Sequence, residues 1–115
     1  MNTKTLGDMG ENIACEYLVK KGFKILLRNY RISFGEIDII ARKKKKIFTN
    51  NDRTIHFVEV KTILESEGFF PEDRVDYKKQ KKLRHLAEIW LEKNKFKQDY
   101  PYQIDVIGVL INKNN

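Results

Sequence analysis

The sequence predicts an α/β fold with elements in the order α-β-β-β-α-β and a mixed sheet flanked by helices. Apolar residues at helical spacing mark residues 3–21 and 76–94, and four stretches rich in branched and aromatic residues lie between and after them. The strand–helix–strand passage at the end favours a right-handed parallel crossover. With 115 residues, 41% of them hydrophobic, we expect residues 1–115 to form one domain.

The first helix is predicted over residues 3–21, with Thr3 or Thr5 as its N-cap and Gly22 as its stop. Its apolar stripe consists of Leu6, Met9, Ile13, Ala14, Tyr17 and Leu18. Gly7 and Gly10 are unfavourable inside a helix, by about 1 kcal/mol each relative to alanine. The close approach of another backbone would justify that cost.

The four strands are predicted at Phe23–Asn29, Glu36–Arg42, Ile55–Thr62 and Tyr102–Ile111. In the first strand, alternation places Phe23, Ile25 and Leu27 on one face. Apolar residues on both faces of the third strand indicate an interior position in the sheet. In the last strand Gly108 is a candidate bulge.

A loop is predicted between the third strand and the second helix, over residues 63–75, because Gly68 and Pro71 interrupt it. Asp76 is the expected N-cap of the second helix, which runs to about Asn94. The apolar stripe of that helix consists of Leu83, Leu86, Ala87 and Trp90. Gln80 lies on the same stripe, one turn before Leu83.

The net charge of +7 favours a polyanionic partner, most simply a nucleic acid. Two basic runs are the candidate contacts; a solvated surface is the alternative interpretation. They comprise Arg42, Lys43, Lys44, Lys45 and Lys46, and then Lys78, Lys81, Lys82 and Arg84.

Other classes of protein are disfavoured by composition. No run of about 20 apolar residues predicts a membrane span, and the N-terminus lacks a signal-peptide core. Cys15 is the single cysteine, which fits a reducing cytoplasm. One cysteine and two separated histidines, His56 and His85, disfavour a structural zinc site.

Charged residues interrupt the second and third predicted strands. Because residues two apart share a face of a strand, Glu36 should point the same way as Asp38, and Glu59 the same way as Lys61. Charges within apolar strands are costly to bury unless they are paired or bind a metal. The sequence therefore indicates either a metal-dependent active site or an ion pair between strands.

A metal site would suit phosphodiester cleavage. Asp38, Glu59 and the carbonyl of Val60 can supply oxygen ligands to Mg²⁺ or Mn²⁺, and the metal would polarise a phosphate and activate water. Lys61 would orient that water or stabilise developing charge. Glu11 would join the metal shell or act through water, although a surface role is the simpler interpretation of its position. Gln80 would hold water or phosphate, or be an ordinary residue at the edge of the core.

Several blocks of the sequence carry a resemblance to a known family. They are Gly7-x-x-Gly10-Glu11-x-x-Ala14-x-x-Tyr17-Leu18, Gly22, Asn29-x-Arg31, Gly35-Glu36-Ile37-Asp38-Ile39-Ile40-Ala41 and Phe57-Val58-Glu59-Val60-Lys61. Together they resemble the YraN family of small bacterial proteins, which in turn resembles the PD-(D/E)xK nucleases of the archaeal Holliday junction resolvase type.

The resemblance implies a restriction-endonuclease-like fold. It places Glu11, Asp38, Glu59 and Lys61 in the metal and catalytic positions of that superfamily, and Gln80 where relatives often carry a polar residue. Resolvase-like relatives act as dimers, so a homodimer is compatible with the resemblance. The Phe69–Phe70 pair is either a dimer face or part of the core.

Three functions are therefore compatible with the sequence. The first is a metal-dependent endonuclease acting on DNA, in particular branched or damaged DNA in repair or recombination. The second is a nucleic-acid-binding module that keeps the nuclease fold without appreciable cleavage. The third is a structural role, in which the acids and Lys61 form a buried ion-pair network.

Overall fold

The structure is a computed structural model that describes residues 2–46, 52–68 and 75–112. Its elements are α1 (Thr3–Lys20), β1 (Phe23–Ile32), β2 (Gly35–Lys43), β3 (Ile55–Leu64), a 3₁₀ turn (Glu65–Glu67), α2 (Tyr77–Lys93) and β4 (Tyr102–Ile111). This is the predicted order α-β-β-β-α-β. The predicted loop residues Phe69, Phe70 and Pro71 lie outside the described residues.

The strands form one mixed sheet in the order β1-β2-β3-β4. β1 and β2 are antiparallel, as are β2 and β3, whereas β3 and β4 are parallel. The predicted interior position of β3 is therefore confirmed. β3 continues to Leu64, beyond its predicted end, because Ile63 and Leu64 pair with Leu110 and Ile111 of β4. That pairing runs without a register shift, so the predicted bulge at Gly108 is wrong.

The two helices cover opposite faces of the sheet. On the α2 face, buried residues of β2, β3 and α2 form one cluster, which comprises Ile37, Ile40, Ile55, Phe57, Leu83, Leu86, Ala87, Trp90 and Leu91. On the α1 face a second cluster comprises Ala14, Leu18, Ile39, Ala41, Val58, Val109 and Ile111. Burial of these apolar surfaces is the main force that holds the helices to the sheet.

A β-bulge in β1 changes which residues face the core. The register with β2 shifts between Ile25 and Leu27, so that Ile25 pairs with Ala41 and Leu27 with Ile40. A bulge inserts one extra residue and moves the following side chains to the other face. Phe23 and Ile25 pack on the α1 face, whereas Leu27 is 40% exposed. The prediction that all three share a face was therefore wrong.

The helix ends follow capping rules, with one correction. Asn2, not Thr3 or Thr5, caps α1, and its side chain accepts the backbone N–H of Thr5 at 2.8 Å. Asp76 caps α2 as predicted, accepting the backbone N–H of Lys79 at 2.8 Å. No helix among the described residues has the length and apolar character needed to cross a membrane.

Candidate metal and nucleic-acid site

The candidate site lies where β2 and β3 separate. Their pairing runs from Arg42 and Ile55 to Ile39 and Val58, and the next residue on each strand is an acid, Asp38 on β2 and Glu59 on β3. The Asp38 carboxylate accepts the backbone N–H of Val60 at 2.7 Å. Asp38 thus joins the two strands by a side chain at the point where backbone pairing ends.

The strict alternation assumed from the sequence does not hold around Asp38. Ile37 packs in the cluster beneath α2, whereas Ile39 packs in the cluster beneath α1. Residues two apart on β2 therefore lie on opposite faces here, so spacing alone does not place Glu36 beside Asp38. Glu36 forms an ion pair with Arg31 at 2.8 Å, and its charge is still near enough to raise the pKa of Asp38.

Glu59 lies on the α2 face. Its neighbours Val58 and Val60 both pack on the α1 face, and Lys79 of α2 places its Nζ 3.7 Å from Glu59 Oε1. Alternation places Lys61 on the same face as Glu59, as the sequence predicted. The site on this face thus combines a carboxylate with two ammonium groups.

Both acids are buried, and burial raises the pKa of each. Burial is the main cause that raises the pKa of Asp38, and the hydrogen bond from Val60 opposes it. Burial also raises the pKa of Glu59, and the nearby Asp38 carboxylate raises it further, against the opposing charges of Lys79 and Lys61. The ionised acids therefore occupy a position that a further cation would stabilise.

Glu11 approaches Asp38 from the other side of the sheet. Its carboxylate lies 4.0 Å from the guanidinium of Arg28, which also donates to Asn12 at 2.9 Å. Burial raises the pKa of Glu11, and the charge of Asp38 raises it further. The charge of Asp38 therefore raises the pKa of both Glu11 and Glu59.

A divalent cation would fit between the acids at the separation of β2 and β3 only with water or substrate completing its ligands. Among residues 2–46, 52–68 and 75–112, no three His, Cys, Asp or Glu side chains are grouped closely enough to hold a metal by themselves. Mg²⁺ commonly binds through one or two carboxylates while keeping several waters and taking substrate phosphate oxygens. Asp38, Glu59 and the Val60 carbonyl suit that mode, which leaves Glu11 a role through water.

The remaining candidates are spread over the molecule. Gln80 is exposed and donates its side-chain amide to the Val75 carbonyl at 3.0 Å, at the beginning of α2. Lys78, Lys81 and Lys82 are exposed on the same part of α2, and Arg84 is half-buried there. The second basic run therefore lies on the helix that carries Lys79, the residue that contacts Glu59.

The first basic run lies at the opposite end of β2. Arg42 pairs with Ile55 at the beginning of β3, and the Lys43 ammonium lies 3.4 Å from the Asp52 carboxylate. At about 3.3 Å per residue, Lys44 is about 20 Å along the chain from Asp38. Lys44, Lys45 and Lys46 follow the strand, so the two runs form separate basic surfaces.

Comparison with known sequences places the chain in a family. Residues 10–109 match the sequence profile described as uncharacterised protein family UPF0102. The chain belongs to the UPF0102 family. The resemblance to the YraN group is thereby confirmed.

Relatives in the UPF0102 family match over nearly the full chain. A UPF0102 protein of Caldanaerobacter subterraneus is 41% identical over 112 residues, which are 97% of this chain and 84% of the relative. One from Caldicellulosiruptor bescii is 40% identical over 116 residues, covering 100% of this chain and 91% of the relative. One from Clostridioides difficile is 40% identical over 111 residues, covering 96% and 90%.

Two charged residues of this UPF0102 chain were missed by reasoning from sequence. Lys79 lies four residues before Leu83 and seven before Leu86, so helical periodicity already placed it on the buried side of α2. That spacing was the signal for its contact with Glu59. Arg28 carried no such signal, because the bulge in β1 determines the face on which it lies.

Proposed function

We propose that this UPF0102 protein is a metal-dependent DNA endonuclease that acts on branched or damaged DNA during repair or recombination. The observation that supports this most is the meeting of two buried acids at the end of β2–β3 pairing, each with a raised pKa. Structural acids are usually paired so that ionisation is favoured. Acids that are unfavourable as anions are typical of functional sites.

The proposed roles follow from the positions of the side chains. Asp38, Glu59 and the Val60 carbonyl would hold Mg²⁺ or Mn²⁺, which supplies Lewis acidity and activates water for attack on phosphorus. Lys61, on the same face as Glu59, would orient that water or stabilise charge on the phosphate. Lys79 opposes the rise in the pKa of Glu59, and Glu11 would act through water on the other side of Asp38.

A second candidate function is a nucleic-acid-binding module without appreciable cleavage. One observation favours it, because both acids already have protein partners. Asp38 accepts a hydrogen bond from the Val60 N–H, and Glu59 forms an ion pair with Lys79. On this alternative, DNA binding depends on salt and on the lysines, but not on Asp38 or Lys61.

The test incubates purified protein with supercoiled, single-stranded and four-way-junction DNA, in Mn²⁺, in Mg²⁺ and in EDTA. The proposal expects cleavage that requires the metal and is lost in Asp38→Ala. Glu36→Gln is the matched control, because Glu36 lies on the same strand but pairs with Arg31. Cleavage that survives Asp38→Ala contradicts the assignment, and metal-independent DNA binding without cleavage favours the binding module.

A homodimer would use β4, the strand at one edge of the described sheet. Val106 is 48% exposed and Leu110 is 63% exposed on this edge strand, which carries no charged residue from Val106 to Ile111. Edge strands are usually protected by charges, as β1 is by Lys24, Arg28 and Arg31. If β4 pairs with β4 of a second copy about a two-fold axis, light scattering should give the mass of a dimer. Leu110→Lys should reduce that mass to the mass of a monomer. An unchanged mass in Leu110→Lys contradicts it.

A further inference from the structure

A groove on the α2 side of the molecule combines an exposed aromatic ring with three lysines. It has a volume of about 420 Å³ and is lined by Phe34, Lys78, Lys81, Lys82 and His85. The four α2 residues follow one stripe of the helix, and Phe34 comes from the turn between β1 and β2. We call these five residues the aromatic–lysine groove.

The ring of Phe34 is exposed yet held in place. It is 44% exposed, and its centroid lies 5.4 Å from that of His85 in an edge-to-face contact with an interplanar angle of 88°. The next residue packs directly beneath α2, because a Cβ at Gly35 would lie 2.9 Å from Leu86 Cδ1 and 3.0 Å from Lys82 Cε. The turn is therefore fixed against the helix, and one aromatic face can remain open beside the lysines.

The lysines of the groove form no ion pair with another described residue. In the ranges that the structure describes, Lys78, Lys81 and Lys82 form no ion pair, whereas Lys79 between them pairs with Glu59. Lysines bind phosphates as point charges, and an aromatic ring stacks on a nucleobase. A base in a duplex is already stacked and paired, so an isolated ring can accept a base only from an unpaired nucleotide.

The groove lies close to the proposed cleavage site. Phe34 precedes Asp38 by four residues, so their Cα atoms are at most about 14 Å apart. Lys78 adjoins Lys79, which contacts Glu59 on the same face of the sheet. A strand bound with its phosphate at the acids therefore reaches the groove within a few nucleotides.

We propose that the aromatic–lysine groove binds an unpaired nucleotide next to the scissile phosphate, with Phe34 stacking on the base and the lysines contacting the flanking phosphates. The proposal deepens the proposed function and rests on it for the position of the cleaved bond. It makes DNA with a single-stranded segment, as found at branches and flaps, the preferred substrate over intact duplex.

The test measures binding in EDTA, where no cleavage occurs, by anisotropy of a fluorescent oligothymidylate, an abasic oligonucleotide of equal length, and a blunt duplex. Phe34→Ala should lose at least about fivefold in affinity for oligothymidylate, which is the ~1 kcal/mol lower end of base–aromatic stacking. Its affinity for the abasic oligonucleotide and the duplex should stay the same. Phe34→Trp should retain the preference for oligothymidylate.

The control is Tyr17→Ala, which removes an aromatic residue that is 51% exposed on α1, on the opposite face, and should leave all three affinities unchanged. Thermal melting verifies that each variant folds. If Phe34→Ala loses affinity equally for all three ligands, or loses none, the proposed role of the groove is overturned. If Phe34→Ala cleaves DNA in Mn²⁺ as well as the wild type does, the groove proposal is overturned but the proposed nuclease activity is not. If binding depends on Phe34 but no cleavage is seen, the groove proposal is supported and the proposed nuclease activity is overturned.

Discussion

Asp38 links the stability of the fold to pH. Because its pKa is raised by burial, the folded protein holds a proton that the unfolded chain releases at lower pH. The free energy of unfolding therefore falls as pH rises from the ordinary aspartate range through the raised value, and stays low above it. Each unit of upward shift corresponds to about 1.4 kcal/mol. Glu59 acts in the same direction.

We therefore predict that Asp38→Asn raises the free energy of unfolding at pH 7 and flattens its decline as the pH rises above about 4. Urea denaturation across that range measures both effects. Glu36→Gln, a surface acid of the same strand, should change stability by less than about 1 kcal/mol. In the wild type, Mg²⁺ should restore stability at pH 7, since a ligand of the folded state stabilises it. A strong loss of stability in Asp38→Asn would support the buried ion-pair network instead.

Lys79 should set the acidic limit of activity. Its charge opposes the upward shift in the pKa of Glu59, so Lys79→Met should raise that pKa further. Metal binding needs the ionised carboxylate, so the acidic limb of the cleavage profile should move to higher pH, with a greater loss at pH 6 than at pH 8. Lys93→Met, at the other end of α2, is the control. A uniform loss across the profile would indicate that Lys79 contacts DNA instead.

At the scale of elements, Gly10 fixes the contact between α1 and β3. A Cβ at this position would overlap Thr62 Oγ1, whereas one at Gly7 would meet nothing within 4 Å. The close approach expected from the sequence holds at Gly10, where the partner is a side chain rather than backbone, and the expectation is wrong at Gly7. Gly10→Ala should destabilise the protein by about 1–3 kcal/mol through overpacking, and Gly7→Ala should stabilise it by up to about 1 kcal/mol.

Chemical denaturation of both alanine variants measures these changes. In a Thr62→Ala background the cost of Gly10→Ala should become smaller, because the nearest atom is gone. If the two glycine substitutions change the free energy of unfolding equally, helix propensity alone accounts for both changes. In that case α1 does not need close contact with β3 at Gly10.

The elements were predictable where one local pattern determined them. Apolar periodicity set both helices, and Asp76 marked the beginning of α2 before any contact was known. The parts that failed depend on partners distant in sequence. The bulge after Ile25 is set by pairing with β2, and the opposite orientations of Ile37 and Ile39 arise where β2 leaves β3. For the same reason the sequence identified the acids, but not that the charge of Asp38 raises the pKa of both Glu11 and Glu59.

At the scale of the whole molecule, the two basic surfaces determine how much DNA is engaged. The molecule measures 44 × 34 × 20 Å, and the first basic run lies at the end of β2 away from the acids. DNA rises about 3.4 Å per base pair, so a duplex of about 20 base pairs is long enough to reach both surfaces, whereas a very short oligonucleotide is not. Each neutralised phosphate adds about 0.9 to the slope of affinity against salt on logarithmic axes.

We predict that Lys44→Ala combined with Lys45→Ala lowers this slope by about 1.8 on a branched DNA with long arms. On an oligonucleotide that covers only the aromatic–lysine groove, the slope should not change. The charge-preserving pair Lys44→Arg and Lys45→Arg should keep the wild-type slope on both ligands, because phosphate contacts require charge rather than lysine itself. Titrations at several salt concentrations give the slopes. If the alanine pair leaves the slope on long DNA unchanged, the first basic run is solvated surface and DNA binds through the α2 side alone.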